Sequence, residues 1–301
     1  MVKVVTDSTS DLPPEIAQEL GITVVPAYVH FGSQSFRDGV DITPEQIYER
    51  MSTGSVHPTT SSPAPGDFTD AYKRLSEEAD EIVCLTVTSK QSAIYEAATA
   101  GKQSFKGKTR IEVIDSQSVT MGLGLMAMLA AREARSGKTI NDVLDAVRSA
   151  IPRTHGMATL DTIRYVVKGG RLGRGSGLLG SLVKVKPLLE IKDGWIKLCG
   201  VTRTRSVGME RVCQCVTRHL PIEEIAVVHS NAVREAEGLA ERIRSISPQN
   251  RPVIAKLGSA LGVHAGPQTL VVAFREGRVE AEKEGKTKRF TLPALRMPHR
   301  Q

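Results

Sequence analysis

The stretch EIVCLTVTSKQSAIYEAA, Glu81–Ala98, decides the fold. Its first part, EIVCLTVT, is a short continuous apolar run, the pattern of a strand covered on both faces. Its second part turns polar at Ser89, Lys90, Gln91 and Ser92 and then opens a helix expected over Ser92 to about Ser104. A strand, a hydroxyl-bearing loop and a helix in that order make half of a parallel βαβ unit. Similar hydroxyl strings occur in VVTDSTSDLP (4–13), which also follows an apolar run, and in PTTSSPAPGDF (58–68). Any one of them reads as a helix cap, because Ser, Thr and Asp are favoured there. Three read better as one site, since loops at the carboxyl ends of parallel strands converge on a crevice where helix N-termini offer N–H groups to an anion.

Working outward, the N-terminal half alternates strand and helix signals. Strands are expected at Val2–Val5, Ile22–Ala27, Glu81–Thr88 and Ile111–Asp115. Between them, Pro13 and Pro14 start a helix that Gly21 ends, and Thr43, Pro44 and Gln46 cap one running through Met51. Phe68, Ala71, Tyr72 and Leu75 keep helical spacing, and further helices are expected over Val119–Ser136 and Ile140–Ala150, the last with Thr139 and Asp142 as a capping pair. From His155 the grammar changes. Pro187–Ile191 and Trp195–Leu198 flank Lys192-Asp193-Gly194, a hairpin signal, so this sheet is mixed. Helices at Thr204–Leu220 and Ala232–Ile246 and strands at Ile225–His229, Val253–Lys256 and Thr269–Phe274 complete it. The expectation is an α/β protein of two domains: a three-layer α/β/α domain with a parallel sheet over residues 1–153, a mixed-sheet α/β domain over 154–277, and a basic tail over 278–301. A chain of 301 residues exceeds what one core usually serves.

The net charge of +7 invites a nucleic-acid reading, but its distribution argues against one. Residues 278–301 carry seven basic and three acidic side chains, which leaves only +3 for the rest of the chain. The tail suits transient contact with a membrane surface at most. No apolar run reaches membrane-spanning length and none follows Met1, so the chain reads as cytoplasmic. Cys84, Cys199, Cys213 and Cys215 form no C-x-x-C pair and read as free structural thiols.

Several enzyme signatures nearly appear. Ser136-Gly137-Lys138-Thr139 ends like a phosphate-binding loop, but Arg132 stands where its first glycine is required and no strand precedes it. Gly175-Ser176-Gly177-Leu178-Leu179-Gly180 follows a basic loop where a dinucleotide site needs a buried strand. No G-x-S-x-G elbow and no histidine or carboxylate cluster with metal spacing is present, so no metal and no cofactor are expected. His229 and His264 each stand where they could line the crevice. The all-apolar segment Thr120–Ala131, with Met121, Met126 and Met128, reads either as a core helix or as the wall of an acyl tunnel.

Taken as a set, Thr6-Asp7-Ser8-Thr9-Ser10-Asp11-Leu12-Pro13, Thr60-Ser61 before Pro63, Ser89-Lys90-x-Ser92, Lys168-Gly169-Gly170-Arg171, Arg203-Thr204-Arg205 and His264-x-Gly266-Pro267 resemble the DegV proteins in order and spacing, from Val2 to about Phe274. The resemblance implies a two-domain α/β fatty-acid binder rather than an enzyme, of the kind that presents an acyl carboxylate to a bacterial fatty acid kinase for phospholipid synthesis. It implies that Thr60 and Ser92 hold the carboxylate, that His264 joins their hydrogen-bond network, and that Arg171 and Arg203 lie near the site entrance or the kinase surface. Three positions depart from the family pattern: Ala93 replaces a glycine, Ser62 a glutamine, and Gln268 the second glycine of the His-x-Gly-Pro-Gly string. Two other readings of the same residues are a hydrolase or transferase using Ser92 with His264 as base, and an enzyme cradling the phosphate of a phosphosugar. The latter needs a polar pocket, the lipid carrier a long dry one.

Overall fold

A computed structural model describes residues 1–53, 57–172 and 185–278. The glycine string at 175–180 and all of the basic tail beyond Arg278 lie outside the described residues. The elements run β1 (Val2–Asp7), α1 (Pro14–Leu20), β2 (Ile22–Val25), β3 (Tyr28–Phe31), β4 (Gln34–Arg37), α2 (Pro44–Thr53), β5 (Thr59–Ser61), α3 (Pro65–Ser76), β6 (Glu81–Thr86), α4 (Ile94–Ser104), β7 (Arg110–Asp115), α5 (Met121–Arg135) and α6 (Ile140–Ala150). There follow β8 (Thr154–Thr159), α7 (Arg164–Lys168), β9 (Lys186–Lys192), β10 (Trp195–Thr202), α8 (Arg205–Arg218), β11 (Ile222–His229), α9 (Val233–Ile246), β12 (Val253–Lys256), α10 (Ser259–Ala265) and β13 (Leu270–Glu276).

The first sheet is parallel, in the order β2-β1-β6-β7. The chain winds from β1 outward to β2 and from β6 outward to β7, so the strand order reverses between β1 and β6. A crevice opens at such a reversal, outside the carboxyl ends of the two strands. The first and third hydroxyl strings leave from those ends. The second sheet is mixed, in the order β10-β9-β8-β13-β11-β12, with only β11 and β12 parallel. Its β9–β10 hairpin turns at Asp193 and Gly194, both with positive φ, as the Lys-Asp-Gly signal predicts.

Helix α5 joins the two sheets. Met121, Leu125 and Met128, spaced four and three apart, pack into the core of the second sheet, while Leu123, Met126, Ala127 and Ala130 on the other side pack into the core of the first. A helix between two cores has no face left for polar residues, which is why its sequence is apolar all round. Of the two readings of this segment the core helix holds for its three methionines, which are buried in the cores; Thr120, at its start, and Val119 before it line the crevice cavities. A third sheet, β4-β3-β5, is antiparallel and was not expected from the pattern. Its hairpin turns at Gly32 and Ser33, with Gly32 at φ +58°. It also turns the middle hydroxyl string into an edge strand rather than a loop.

Candidate functional site

The loop between β6 and α4 is fixed before any ligand enters. The Thr88 hydroxyl donates to Gly194 O at the tip of the β9–β10 hairpin (3.0 Å) and accepts from Lys90 N, while the Ser89 hydroxyl donates to Asp115 at the end of β7 (2.5 Å). Gln91 N–H then closes a turn onto Thr88 O. Helix α4 begins at Ile94, two residues later than the sequence suggests, so Ser92 lies ahead of the helix, with its Oγ accepting from Ile94 N–H (3.3 Å).

Across the crevice, Thr60 on β5 and His264 on α10 meet in a 2.8 Å hydrogen bond between Thr60 Oγ1 and His264 Nε2, joining residues 204 positions apart. Helix α10 is gripped at its start by two buried carboxylates of the N-terminal half. Gly258 N–H donates to Asp11 Oδ1 and Ser259 N–H to Asp38 Oδ1, each at 2.8 Å. Asp11 also accepts from the Thr120 hydroxyl, and Asp38 from the Ser8 hydroxyl. Absent side chains let the helix sit close: a Cβ at Gly262 would fall 2.5 Å from Tyr48 Oη, and one at Gly169 would fall 2.1 Å from His264 Nδ1.

Thr60, Gln91, Ser92, Arg171 and His264 all line one cavity of about 290 Å³. A second, smaller cavity of about 70 Å³ shares Val119, Arg171, Ile196, Leu261 and His264 with it and is otherwise walled by apolar side chains such as Leu160, Val166 and Leu189. The space therefore has a polar end and a dry end. Its volume stands at the lower edge of the usual range for small-molecule sites, about 300–1,000 Å³.

Burial, reinforced by the charge of Arg171 and by His57, pushes His264 down to about 4, so the ring is neutral at physiological pH. Its Nδ1 has no partner among the described residues. With the proton on Nε2, the ring donates to Thr60 Oγ1, and the Thr60 hydroxyl hydrogen is free to turn into the cavity. Arg171, expected near the site entrance or the partner surface, is anchored by an Nη1–H bond to Gly169 O (2.6 Å) and lines the cavity. Arg203 lies exposed in the loop between β10 and α8 and lines neither cavity. His229 is buried at the end of β11, away from both cavities. Ser92 makes no hydrogen bond to His264 and no carboxylate meets Nδ1 among the described residues, so the relay that a Ser/His hydrolase requires is not assembled.

Sequence reasoning places Asp11 and Gln91 in the hydroxyl strings without giving either a role, and it missed Asp38. It also missed α10, whose signal was the Gly258-Ser259 pair before a run of small residues and Gly266 at its end, φ +79°.

Comparisons with known proteins converge on one family. The family model described as "Uncharacterised protein, DegV family" matches residues 1–277. A DegV domain-containing protein of Deinococcus radiodurans is 33% identical over 276 residues, 91% of this chain and 98% of that one. A solved Thermus thermophilus structure, described as fatty acid binding of a DegV family protein, is 29% identical with a TM-score of 0.83 and covers 91% of this chain and 99% of that one. The stearic acid-binding protein of Eubacterium ventriosum is 26% identical with a TM-score of 0.82, covering 91% and 98%.

Proposed function

Because the chain belongs to the DegV family, we propose that it binds one long-chain fatty acid, carboxylate toward Thr60, Ser92 and His264 and tail toward the apolar cavity, and presents that carboxylate to a fatty acid kinase. The single observation that carries the reading is the joined cavity, polar where Thr60, Ser92 and His264 meet and apolar beyond Ile196 and Leu261. A fatty acid has that division of character. Burying about 14 methylenes at about 0.8 kcal/mol each gives roughly 11 kcal/mol before ordering costs, so the tail supplies affinity and the head supplies direction.

The polar end is suited to holding a carboxylate without consuming it. With its proton on Nε2 the neutral His264 ring donates to the Thr60 oxygen, and Thr60 then donates its hydroxyl hydrogen to the ligand. Ser92 adds a second hydroxyl, and Arg171 a delocalised positive charge that suits two-oxygen anions. Among the described residues no general-base relay stands beside them, which favours a carrier over a hydrolase, and the dry second cavity favours a lipid over a phosphosugar. Arg203, exposed near the start of α8, is free to meet a partner.

Native mass spectrometry of the purified protein, followed by organic extraction, tests the proposal. The expected result is a bound acid of about 14 to 18 carbons. A protein that emerges empty and takes up no such acid would overturn it. For the kinase step, Arg203→Ala should leave acid binding intact and slow phosphorylation of the bound acid by an added fatty acid kinase.

A further inference from the structure

Gln91 stands in the polar end of the cavity with a side chain that no described residue hydrogen-bonds. Its Nε2 is buried and has no hydrogen-bond partner among the described residues, and the residue lines the same wall as Thr60, Ser92 and Arg171. Burying an amide donor without a partner is unfavourable, and a turn of the side-chain amide brings that donor to the cavity the residue lines. Its backbone does not drift. Gln91 N–H bonds to Thr88 O, Thr88 is tied to the hairpin tip at Gly194, and Ser89 is tied to Asp115. The backbone that carries the amide is thus tied before binding, so only the side-chain torsions remain to be ordered when it bonds a ligand.

We infer that the Gln91 side-chain amide is a ligand-contacting residue of this site, donating an N–H to the carboxylate of the bound acyl ligand and selecting an acid over an uncharged head of the same chain length; this rests on the fatty-acid reading above. The chemistry is specific. A carboxylate offers about four lone-pair positions, more than the hydroxyls of Thr60 and Ser92 can fill, and a neutral amide donor adds to them without a further charge. An alcohol head offers a weaker acceptor and gains less from the same donor.

Two variants separate this role from a structural one. Gln91→Leu keeps the volume and removes the donor, and Gln91→Glu replaces it with an acceptor that repels a carboxylate. Fluorescence displacement with palmitic acid and with 1-hexadecanol, beside thermal melts, reads all three proteins. For Gln91→Leu the expected result is a loss of about ten- to a hundredfold in affinity for the acid, little change for the alcohol, and a melting temperature no lower than wild type, because an unpartnered buried amide has gone. Gln91→Glu should weaken acid binding further and recover part of it as the pH falls and the new carboxyl protonates. Wild-type affinity for the acid in Gln91→Leu, or an equal loss for acid and alcohol, overturns the inference while leaving the fatty-acid reading standing. Failure of the wild-type protein itself to bind any such acid sinks that reading first.

Discussion

Replacing Gly169 by alanine adds one methyl group and should disturb the site through a single contact. Gly169 ends α7 at φ −74° and ψ −10°, a backbone that alanine adopts freely, so no strain arises from the chain. The added Cβ, however, would lie 2.1 Å from His264 Nδ1 and about 3.1 to 3.2 Å from two further ring atoms. Ordinary contact begins at about 3.5 Å, so the ring would have to retreat by about 1.4 Å. Gly169 cannot give way instead: its N–H is bonded to Tyr165 O (2.8 Å) and its carbonyl accepts from Arg171. The retreat opens the 2.8 Å bond from His264 Nε2 to Thr60. Overpacking costs about 1–3 kcal/mol and the lost hydrogen bond about 0.5–1.5 kcal/mol, for a destabilisation of about 2–4 kcal/mol.

Denaturant unfolding measures that loss, and titration with a fluorescent fatty acid measures its effect on the head group, which should amount to about tenfold or more in affinity once Thr60 is misdirected. Gly238→Ala is the matched control. Gly238 is exposed within α9, where an added Cβ meets nothing within 4 Å, so the same methyl should stabilise by about 0.4–1 kcal/mol. Gly169→Ala with wild-type stability and wild-type affinity would refute the close seating of His264 on α7.

Ser92→Ala with Thr60→Val should weaken capture of the acid by about 1.5–3 kcal/mol per hydroxyl, with a stability loss of about 0.5–1.5 kcal/mol for the Thr60–His264 bond; unchanged affinity in the double variant would place the carboxylate elsewhere. Asp38→Ala leaves Ser259 N–H and the Ser8 hydroxyl without their acceptor, and should cost about 1–3 kcal/mol in stability and loosen α10, seen as faster amide exchange in residues 259–265. His264→Gln should flatten one limb of the pH profile. The folded-state imidazole sits at about 4 against an ordinary 6.5, so the unfolded chain binds the proton more readily and wild-type stability falls as pH drops from about 6.5 to about 4. Asp7 acts in the opposite sense: burial raises it to about 6 from 3.8, so its contribution falls as pH rises from about 4 to about 6. Melts at pH 4.5 and pH 7 should therefore show His264→Gln losing less on acidification than wild type; identical losses would mean that His264 is not held neutral.

What the sequence reveals here is what local chemistry determines. The apolar run before Ser89, the Lys-Asp-Gly turn and the Thr139–Asp142 capping box all form with partners a few residues away, and each appears where the pattern predicts it. Helix α10 hides because its cap is remote. Gly258 and Ser259 find their acceptors on Asp11 and Asp38, 247 and 221 residues earlier, and no window of sequence contains both. The antiparallel sheet around β3 hides for a different reason: strands of three or four residues are too short for a period of two to stand out. Arg171 could be flagged by motif, but its position inside the cavity depends on α7 packing against α10. Gln91 reads as one more polar loop residue, and only the fold buries its amide nitrogen.

The buried carboxylates explain why so few donors face the cavity and why those few are neutral or singly charged. Asp7, Asp11 and Asp38 are buried without an ion pair among the described residues and are held only by N–H groups and hydroxyls. Each takes donors from the strand ends and helix starts that an open crevice would otherwise turn toward an anion: Thr9 and Val87 serve Asp7, Gly258 and Thr120 serve Asp11, Ser8 and Ser259 serve Asp38. Burial raises the pKa of all three, and each is further raised by another of the set or resists only through those bonds. A polyanionic ligand such as a phosphate would meet a crevice with most of the backbone donors already engaged. A single carboxylate asks for less: one guanidinium at Arg171 and the side-chain donors of Thr60, Ser92 and Gln91 remain for it. The crevice of a doubly wound sheet, ordinarily a phosphate site, in this chain has backbone donors at its rim taken up by three buried aspartates.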